Sequence, residues 1–168
     1  MAKNKPVYAF EEADSKKRML LGGKGAGLSE MTRLKLPVPP GFTITTEVCN
    51  KYYDNNRKLP KDVMPAVMKN IVKMEKKTGK KWNSTKNPLL VSVRSGAAIS
   101  MPGMMDTILN LGLNEKTVEG FAEQTKNPRF SWDSYRRFIQ LFGKVVFGVN
   151  DEKFDHVLDS AKEKQGVT

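Results

Sequence analysis

The sequence is short of several residue types, and each shortage excludes a class of protein. A single cysteine, Cys49, among 168 residues permits no internal disulfide and offers no metal-binding spacing, which is typical of a reducing compartment. No apolar run approaches the roughly 20 residues that a transmembrane helix needs, and the opening stretch MAKNKPVYAF lacks the apolar segment of a signal peptide. We therefore expect a cytoplasmic protein that does not associate with a membrane.

Acidic residues are also scarce, since 18 Asp and Glu stand against 29 Lys and Arg and give a net charge of +11. Such an excess means that an anionic partner, including nucleic acid, has to be considered. The densest basic run, Lys69–Lys81, fits the outer face and C-terminal end of an amphipathic helix and has no aromatic residue for base stacking before Trp82. We therefore interpret this run as a solvated helix face and expect nucleic acid not to be the partner.

The hydrophobic pattern predicts one mixed unit over residues 1–168, an α/β (α+β) fold that becomes richer in helix toward its C-terminus. Alternating apolar residues predict strands at Val7–Phe10, Gly41–Thr45, Leu89–Arg94 and Thr107–Leu111. Helical spacing predicts helices that open at the glycines after Leu21, at the caps Thr46, Asp62 and Asn114, at Ser131, and after Asn150.

The segment Gly22-Gly23-Lys24-Gly25-Ala26-Gly27 is a glycine-rich turn that opens one of these helices. Glycines around a lysine expose backbone N–H groups and the positive end of the helix dipole to an anion. The spacing matches neither the P-loop pattern nor the dinucleotide-binding pattern, so it supports neither of those families. The turn therefore predicts phosphate binding, with a tight turn that has no ligand as the alternative.

A second candidate site lies where Arg94 ends a predicted strand and a Gly- and Met-rich loop follows. A guanidinium fixed at a strand end supplies a planar fork for phosphate oxygens. Ser95, Gly96 and the small residues after them would let the backbone approach a ligand closely. The alternative is a surface arginine beside a mobile loop.

Four blocks of the sequence together resemble the pyruvate, phosphate dikinase family, which belongs to the enzymes that use phosphoenolpyruvate. They are LLGGKGAGLSEM at 20–31, PVPPGFTITTE at 37–47, VSVRSGAAISMPGMMDTILNLGL at 91–113 and NPRFSWDSYRRFIQLFGKVV at 127–146. Their order and spacing agree with the family, and the resemblance covers nearly the whole chain. The related phosphoenolpyruvate synthases share the first turn and the VRS strand, but the loop at 101–106 is unlike theirs and favours the dikinase.

The resemblance implies the front of an ATP-grasp-like nucleotide-binding domain, without the phosphohistidine and pyruvate-binding domains of the family. In that family ATP, phosphate and pyruvate give AMP, diphosphate and phosphoenolpyruvate through a phosphohistidine, with Mg²⁺ assisting. The single histidine, His156, lies in a predicted helix without the small neighbours expected of the phosphorylated residue. We therefore expect a fragment of a phosphotransferase that does not turn over alone, whose partners are ATP and the remaining domains of a homo-oligomeric parent enzyme.

Carried over by resemblance, Lys24 and Arg94 would hold the ATP phosphates and act in phosphoryl transfer. The residues expected to bind the nucleotide beside them are Gly22, Gly23, Gly25, Ser95, Gly96, Gly103, Asp106 and Thr107. The glycines would contribute backbone geometry, and Asp106 and Thr107 could instead be capping residues. The ligands of Mg²⁺ are expected outside this chain, so no metal ligand is predicted within it. A stand-alone nucleotide-binding regulator is the alternative to an enzyme fragment.

Overall fold

The computed structural model describes residues 4–96 and 106–167, which form two compact units. The first unit contains residues up to Lys80 together with Gly96, and the second contains Lys81–Ser95 and the chain from Asp106 onward. Helices dominate both units, and each unit also contains one antiparallel strand pair. The mixed α/β (α+β) class predicted from the sequence is confirmed, with a C-terminal half that is mostly helical.

The first unit contains two strands and three helices. Strand β1 (Val7–Ala9) pairs antiparallel with β2 (Phe42–Ile44), so that Val7 lies opposite Ile44. The helices are α1 (Arg18–Arg33), α2 (Thr46–Asp54) and α3 (Val63–Thr78). Helix α1 packs against β2 and α2, and α3 packs against β1. The buried hydrophobic residues of this unit are Val7, Ala9, Leu20, Leu21, Ala26, Val48, Val63 and Ile71.

The second unit contains a strand pair and three helices, of which the second packs on the strands and also contacts the other two helices. Strand β3 (Val91–Arg94) pairs antiparallel with β4 (Thr107–Leu111), with an irregularity between Val91 and Val93. Helices α4 (Thr117–Thr125), α5 (Pro128–Phe147) and α6 (Asp151–Gln165) follow. The buried centre consists of Leu89, Leu113, Thr117, Val118, Ser131 and Ser134. No helix within the described ranges is both long enough and apolar enough to span a membrane.

Several predicted helix starts differ in detail from the structure. Helix α2 follows Thr45 as its N-cap, not Thr46. Asp62 does precede α3, but its side chain makes no capping hydrogen bond. Helix α5 begins at Pro128, ahead of Ser131, because the side chain of Asn127 accepts a hydrogen bond from the N–H of Phe130.

Two other predicted helix starts and one predicted helix end agree with the hydrogen bonds or the backbone geometry of the structure. Asn150 caps α6 through a hydrogen bond from the N–H of Glu152. Gly79 ends α3 with a φ of 70°, the left-handed conformation that glycine adopts most easily. Asn114 accepts hydrogen bonds from the N–H groups of Lys116 and Thr117 and so holds the first turn of α4. Capping residues therefore fix most of the helix boundaries.

Glu30 near the end of α1 gives a prediction for the pH dependence of stability. Hydrogen bonds from Arg33, and then from Ser15, lower its pKa from 4.5 to about 2. Because the folded pKa lies below the ordinary value, the stabilisation is complete above pH 4.5 and is lost as the pH falls toward 2. We expect the melting temperature of the wild type to fall more steeply through this window than that of Glu30→Gln. Thermal melts in a pH series measure this difference in melting temperature. Glu119→Gln on α4 is the control and should follow the wild type. Identical pH profiles for wild type and Glu30→Gln would contradict the prediction.

Candidate functional site: a broken helix with a lysine and a hairpin with an arginine

The sequence predicted that the glycine turn precedes the helix. In the structure the turn instead interrupts the helix. Helix α1 begins at Arg18, and Gly22 within it has φ 71° and ψ 162°, which is far from helical values. Only glycine adopts this region readily, because any side chain would meet its own backbone. The chain therefore makes one short helical turn, breaks at Gly22, and starts a second helical segment at Gly23 and Lys24.

A helix start of this kind offers donors to an anion. The first N–H groups of a helix have no partner within it, and the aligned peptide dipoles place partial positive charge there. Lys24 lies half-buried in this first turn, so its ammonium group adds a full charge to the same region. Gly96 lies next to it, since a Cβ built on Gly96 would be 3.9 Å from the Cβ of Lys24. Gly22, Gly23, Lys24, Gly25 and Gly96 therefore lie close together in the first unit.

Gly25 has a packing role that the sequence did not reveal. A Cβ at this position would lie 2.7 Å from Oγ1 and 2.8 Å from Cγ2 of Thr43 on β2. Because Thr43 is β-branched, rotating its side chain replaces one of these atoms with the other. Close packing of α1 against β2 therefore requires glycine at position 25. This requirement holds whether or not a ligand binds nearby.

This contact predicts opposite effects for two alanine substitutions in the same helix. Gly25→Ala is expected to lower the free energy of unfolding by about 1–3 kcal/mol because of overpacking against Thr43. Gly27→Ala, where an added Cβ would meet nothing within 4 Å, is expected to raise it by about 0.5–1 kcal/mol through helix propensity. Urea denaturation of both variants measures the difference. Equal effects of the two substitutions would show that Gly25 is not constrained by Thr43.

The second cluster lies in the second unit, at the end of the β3–β4 pair where β3 finishes and β4 begins. Arg94 is the last residue of β3, is exposed, and lies opposite Thr107, the first residue of β4. Ser95 donates from its N–H (3.1 Å) and its hydroxyl (3.0 Å) to the carbonyl of Asp106. Arg94, Ser95, Asp106 and Thr107 are therefore neighbours, and the guanidinium leaves the strand at a fixed place.

The side chain of Asp106 is exposed and has a positive charge in its surroundings. Lys144 of α5 has a raised pKa, first because it donates a hydrogen bond to Asp151 and in smaller part because of the charge on Asp106. Helix α5 thus brings a cation toward the same end of the hairpin, which no spacing in the sequence indicated. Gly103, also predicted to bind the nucleotide, lies outside the described residues, as does the rest of the segment 97–105.

Two further observations concern the predicted absence of a catalytic histidine and of metal ligands. His156 is exposed on α6, as expected for a surface helix residue. Within the described ranges no group of three His, Cys, Asp or Glu side chains is arranged to hold a metal ion.

Thr43 and Thr46 are the residues at this site that sequence reasoning did not identify. Thr46 was assigned a capping role, yet its hydroxyl donates to the carbonyls of Met19 (2.7 Å) and Leu20 (3.3 Å) beside the helix break. The only sequence signal was the position of both threonines in the block at 37–47 that resembles the dikinase family. Both threonines contact α1 because β2 and the start of α2 lie beside that helix in the folded chain. No local sequence pattern predicts this arrangement.

A broken helix start with a lysine and a strand end with an arginine indicate a protein that binds nucleotide phosphates, and comparison with known proteins agrees. The matching family model is that of the pyruvate phosphate dikinase AMP/ATP-binding domain, over residues 18–61 and 55–165. The chain belongs to this family.

Individual relatives give the same result. The chain is 58% identical to pyruvate, phosphate dikinase of Entamoeba histolytica over 161 residues, covering 96% of this chain and 18% of the relative. It is 53% identical to the enzyme of Clostridium symbiosum over 161 residues, again 96% of this chain and 18% of the relative. The enzyme of Giardia intestinalis is 53% identical over 167 residues, 95% of this chain and 19% of the relative. The chain thus spans less than a fifth of the length of these relatives.

Proposed function

We propose that this chain binds the phosphates of ATP, through Lys24 and the backbone that follows Gly22, as part of a pyruvate, phosphate dikinase. The observation that carries the proposal is the non-helical Gly22 inside α1, which creates a helix start at a lysine in a chain of an AMP/ATP-binding family. Backbone N–H groups at a helix start favour the binding of a phosphate group. Strain of the kind seen at Gly22 is found mostly at functional sites.

Lys24 and Arg94 have complementary roles in this proposal. Lys24 supplies a compact ammonium charge, and Arg94 supplies a planar fork that binds two phosphate oxygens at once. During phosphoryl transfer negative charge shifts among the phosphate oxygens, and positioned cations stabilise it because they need no reorganisation. Both residues are therefore proposed to act in catalysis as well as in binding.

The other residues support these two. Ser95 and Asp106 join the ends of β3 and β4 and so fix the direction from which Arg94 leaves the sheet. Thr107, opposite Arg94, contributes a hydroxyl at the same end of the hairpin. Gly96 leaves space beside Lys24 for a ligand or for backbone. We keep Gly103 as a proposed nucleotide contact through its N–H group.

The reaction of the whole protein is proposed from the relatives named above. In it, ATP, phosphate and pyruvate would give AMP, diphosphate and phosphoenolpyruvate through a histidine supplied by another domain. We further propose an ATP-grasp-like nucleotide-binding domain of which residues 1–168 form one part, a homo-oligomeric parent enzyme, and a cytoplasmic location. The isolated chain is then expected to bind ATP without turning it over.

Mg²⁺ is part of the proposed reaction, but the described residues of this chain do not fit a metal centre of their own. No cluster of three potential ligands is present among them, and the two side chains proposed to hold the phosphates, Lys24 and Arg94, are cations. Cations and N–H donors cannot ligate a metal. We propose that the protein ligands of Mg²⁺ belong to other parts of the parent enzyme.

The net charge of +11 does not by itself favour nucleic acid as the ligand. In the basic helix α3, Lys73 pairs with Glu12 and Lys77 pairs with Glu11, so these two lysines are engaged by carboxylates of the first unit. Binding that rests on counterion release would fall steeply as salt rises. A salt series with single-stranded DNA as the probe separates this possibility from ATP binding.

Calorimetric titration with Mg-ATP at moderate salt tests the proposed function directly. We expect weak, saturable binding at one site per chain, with AMP binding more weakly because it lacks the β- and γ-phosphates. Magnesium without nucleotide should give no saturable heat. A folded chain that binds neither Mg-ATP nor inorganic tripolyphosphate would overturn the proposal that this chain alone binds the phosphates.

A further inference from the structure

Strands β3 and β4 do not pair residue for residue along their whole length. At one end of the hairpin Arg94 lies opposite Thr107, and at the other end Val91 lies opposite Leu111. The two residues on β3 are three positions apart, whereas the two on β4 are four positions apart. Strand β4 therefore contains one extra residue, which is a β-bulge, and such bulges are common beside active sites.

Asn110 has the backbone conformation that this bulge requires. In the irregular interval Leu109 and Asn110 of β4 both lie opposite the single residue Ser92 of β3. The φ of Asn110 is 57°, in the left-handed region, whereas a regular antiparallel strand has φ of about −140°. Asparagine tolerates the left-handed region and β-branched residues avoid it. The bulge therefore depends on the residue type at position 110.

The chain that follows the bulge is held firmly within the second unit. The N–H of Leu113, a buried residue, donates to the carbonyl of Asn110 (3.1 Å). The hydroxyl of Thr117 donates to the carbonyl of Gly112 (2.9 Å). A Cβ built on Gly112 would lie only 2.7 Å from the carbonyl oxygen of Leu89, so backbone packs closely on backbone there. A change of register must therefore occur at the other end of the hairpin, where β3 finishes.

At that end the bulge decides which side chains share a face. Side chains alternate between the two faces of a strand, so a shift of one residue exchanges the faces. With the bulge, Arg94 and Thr107 are opposite each other and lie on the same face. Without it, Ile108 would take the place opposite Arg94, and Thr107 would point to the other face. The two hydrogen bonds from Ser95 to the carbonyl of Asp106 would also lose their alignment.

We propose that Asn110 is a positioning residue for the phosphate site: its left-handed conformation maintains the bulge in β4 and so keeps Arg94 and Thr107 on one face of the hairpin. The proposal rests on the proposed binding of ATP by Arg94 for its function, although the strand register itself can be measured without any ligand. Asn110 acts through the backbone of β4 and is not proposed to contact the nucleotide.

The test compares two substitutions at this position. Asn110→Thr introduces a β-branched residue that avoids the left-handed region, whereas Asn110→Gly leaves that region freely accessible. Asn83→Thr is the matched control, because Asn83 has a φ of 58° and belongs to the same unit but lies outside both strands. Thermal melts report the folding of each variant. If Asn110→Thr does not fold, Asn110→Ala replaces it as the milder variant in the same comparison.

The register is read by NMR in the full chain. Because the N–H of Ser95 donates to the carbonyl of Asp106, these two residues form a hydrogen-bonded pair of the ladder. Arg94 and Thr107 are then the neighbouring non-hydrogen-bonded pair, whose Cα atoms approach to about 4.5 Å. Their Hα atoms should give a strong cross-strand contact. Affinity for Mg-ATP and for inorganic tripolyphosphate is measured by calorimetry.

In Asn110→Thr we expect the contact between the Hα atoms of Arg94 and Thr107 to weaken and contacts between Arg94 and Ile108 to appear. Affinity for both probes should then fall by about threefold to tenfold, because Thr107 no longer shares a face with Arg94. Asn110→Gly and Asn83→Thr should keep the wild-type register and affinity.

A folded Asn110→Thr protein that keeps the wild-type register would overturn the proposal. So would a shifted register with unchanged affinity, or an equal loss of affinity in Asn83→Thr. If the wild type binds neither probe, the proposed function fails, and the NMR measurement still decides whether Asn110 sets the pairing of Arg94 with Thr107.

Discussion

Replacing Arg94 with alanine is expected to weaken Mg-ATP binding by about tenfold to a hundredfold, because a charge-assisted hydrogen bond contributes about 1.5–3 kcal/mol. Lys24→Ala is expected to have an effect of the same size. Arg94→Lys should recover only part of the loss, since an ammonium group cannot bind two phosphate oxygens in the planar arrangement of a guanidinium. Calorimetric titration of each folded variant provides the measurement.

The control for this experiment is Arg129→Ala, which removes the same charge from an exposed position in the same unit as Arg94. It should change the affinity only slightly, because exposed charges act weakly at moderate salt. If Arg129→Ala weakens binding as much as Arg94→Ala, the effect comes from net charge alone and Arg94 has no specific contact. If the wild type binds Mg-ATP and Arg94→Ala keeps that affinity, the assignment of Arg94 is wrong.

The largest expected loss of stability comes from Gly120→Ala. Gly120 is buried in α4, and a Cβ there would lie 1.7 Å from the carbonyl oxygen and 2.5 Å from the carbonyl carbon of Thr85. Because the obstacle is backbone, the helix and the loop before β3 must separate. We expect the free energy of unfolding to fall by about 2–3 kcal/mol and the melting temperature by about 5–10 °C.

Gly143→Ala provides the comparison for Gly120→Ala, because Gly143 is also a buried helical glycine of the second unit. A Cβ there would lie 2.6 Å from the ring of Phe154 on α6, which is the far end of a side chain and can move. We therefore expect a smaller loss than at Gly120. Thermal and urea denaturation of both variants measure the two losses of stability. A Gly120→Ala protein as stable as the wild type would show that α4 is not packed tightly against Thr85.

Local patterns in the sequence predicted much of this fold. Alternating apolar residues located β1, β2, β3 and β4, and helical spacing located all the helices of the described chain. Helix starts were less accurate, because Asn127 and Thr45 set them through side-chain or backbone geometry that hydrophobic spacing does not report. The division into two compact units was not predicted, since the basic run that ends at Lys81 was interpreted as the end of a helix and not as a boundary between units.

The proposed site was predictable to a similar degree. The residue types around Lys24 and Arg94 pointed to phosphate, because glycines beside a lysine and an arginine at a strand end have few other uses. The assignment of these residues as ligands stays a prediction that the binding experiments test. The interruption of α1 at Gly22, however, was predicted as a simple helix start, because sequence spacing does not show that Arg18–Leu21 would also be helical.

The family could be read from the sequence, since it depends on which residues stand at which spacing along the chain. The contacts around the broken helix could be read only from the folded chain. The hydroxyl of Thr46 reaches the carbonyls of Met19 and Leu20, and Thr43 makes glycine necessary at position 25, because the chain returns through β2 beside α1. Contacts between residues so far apart in sequence depend on packing, and packing leaves no periodic signal in either segment.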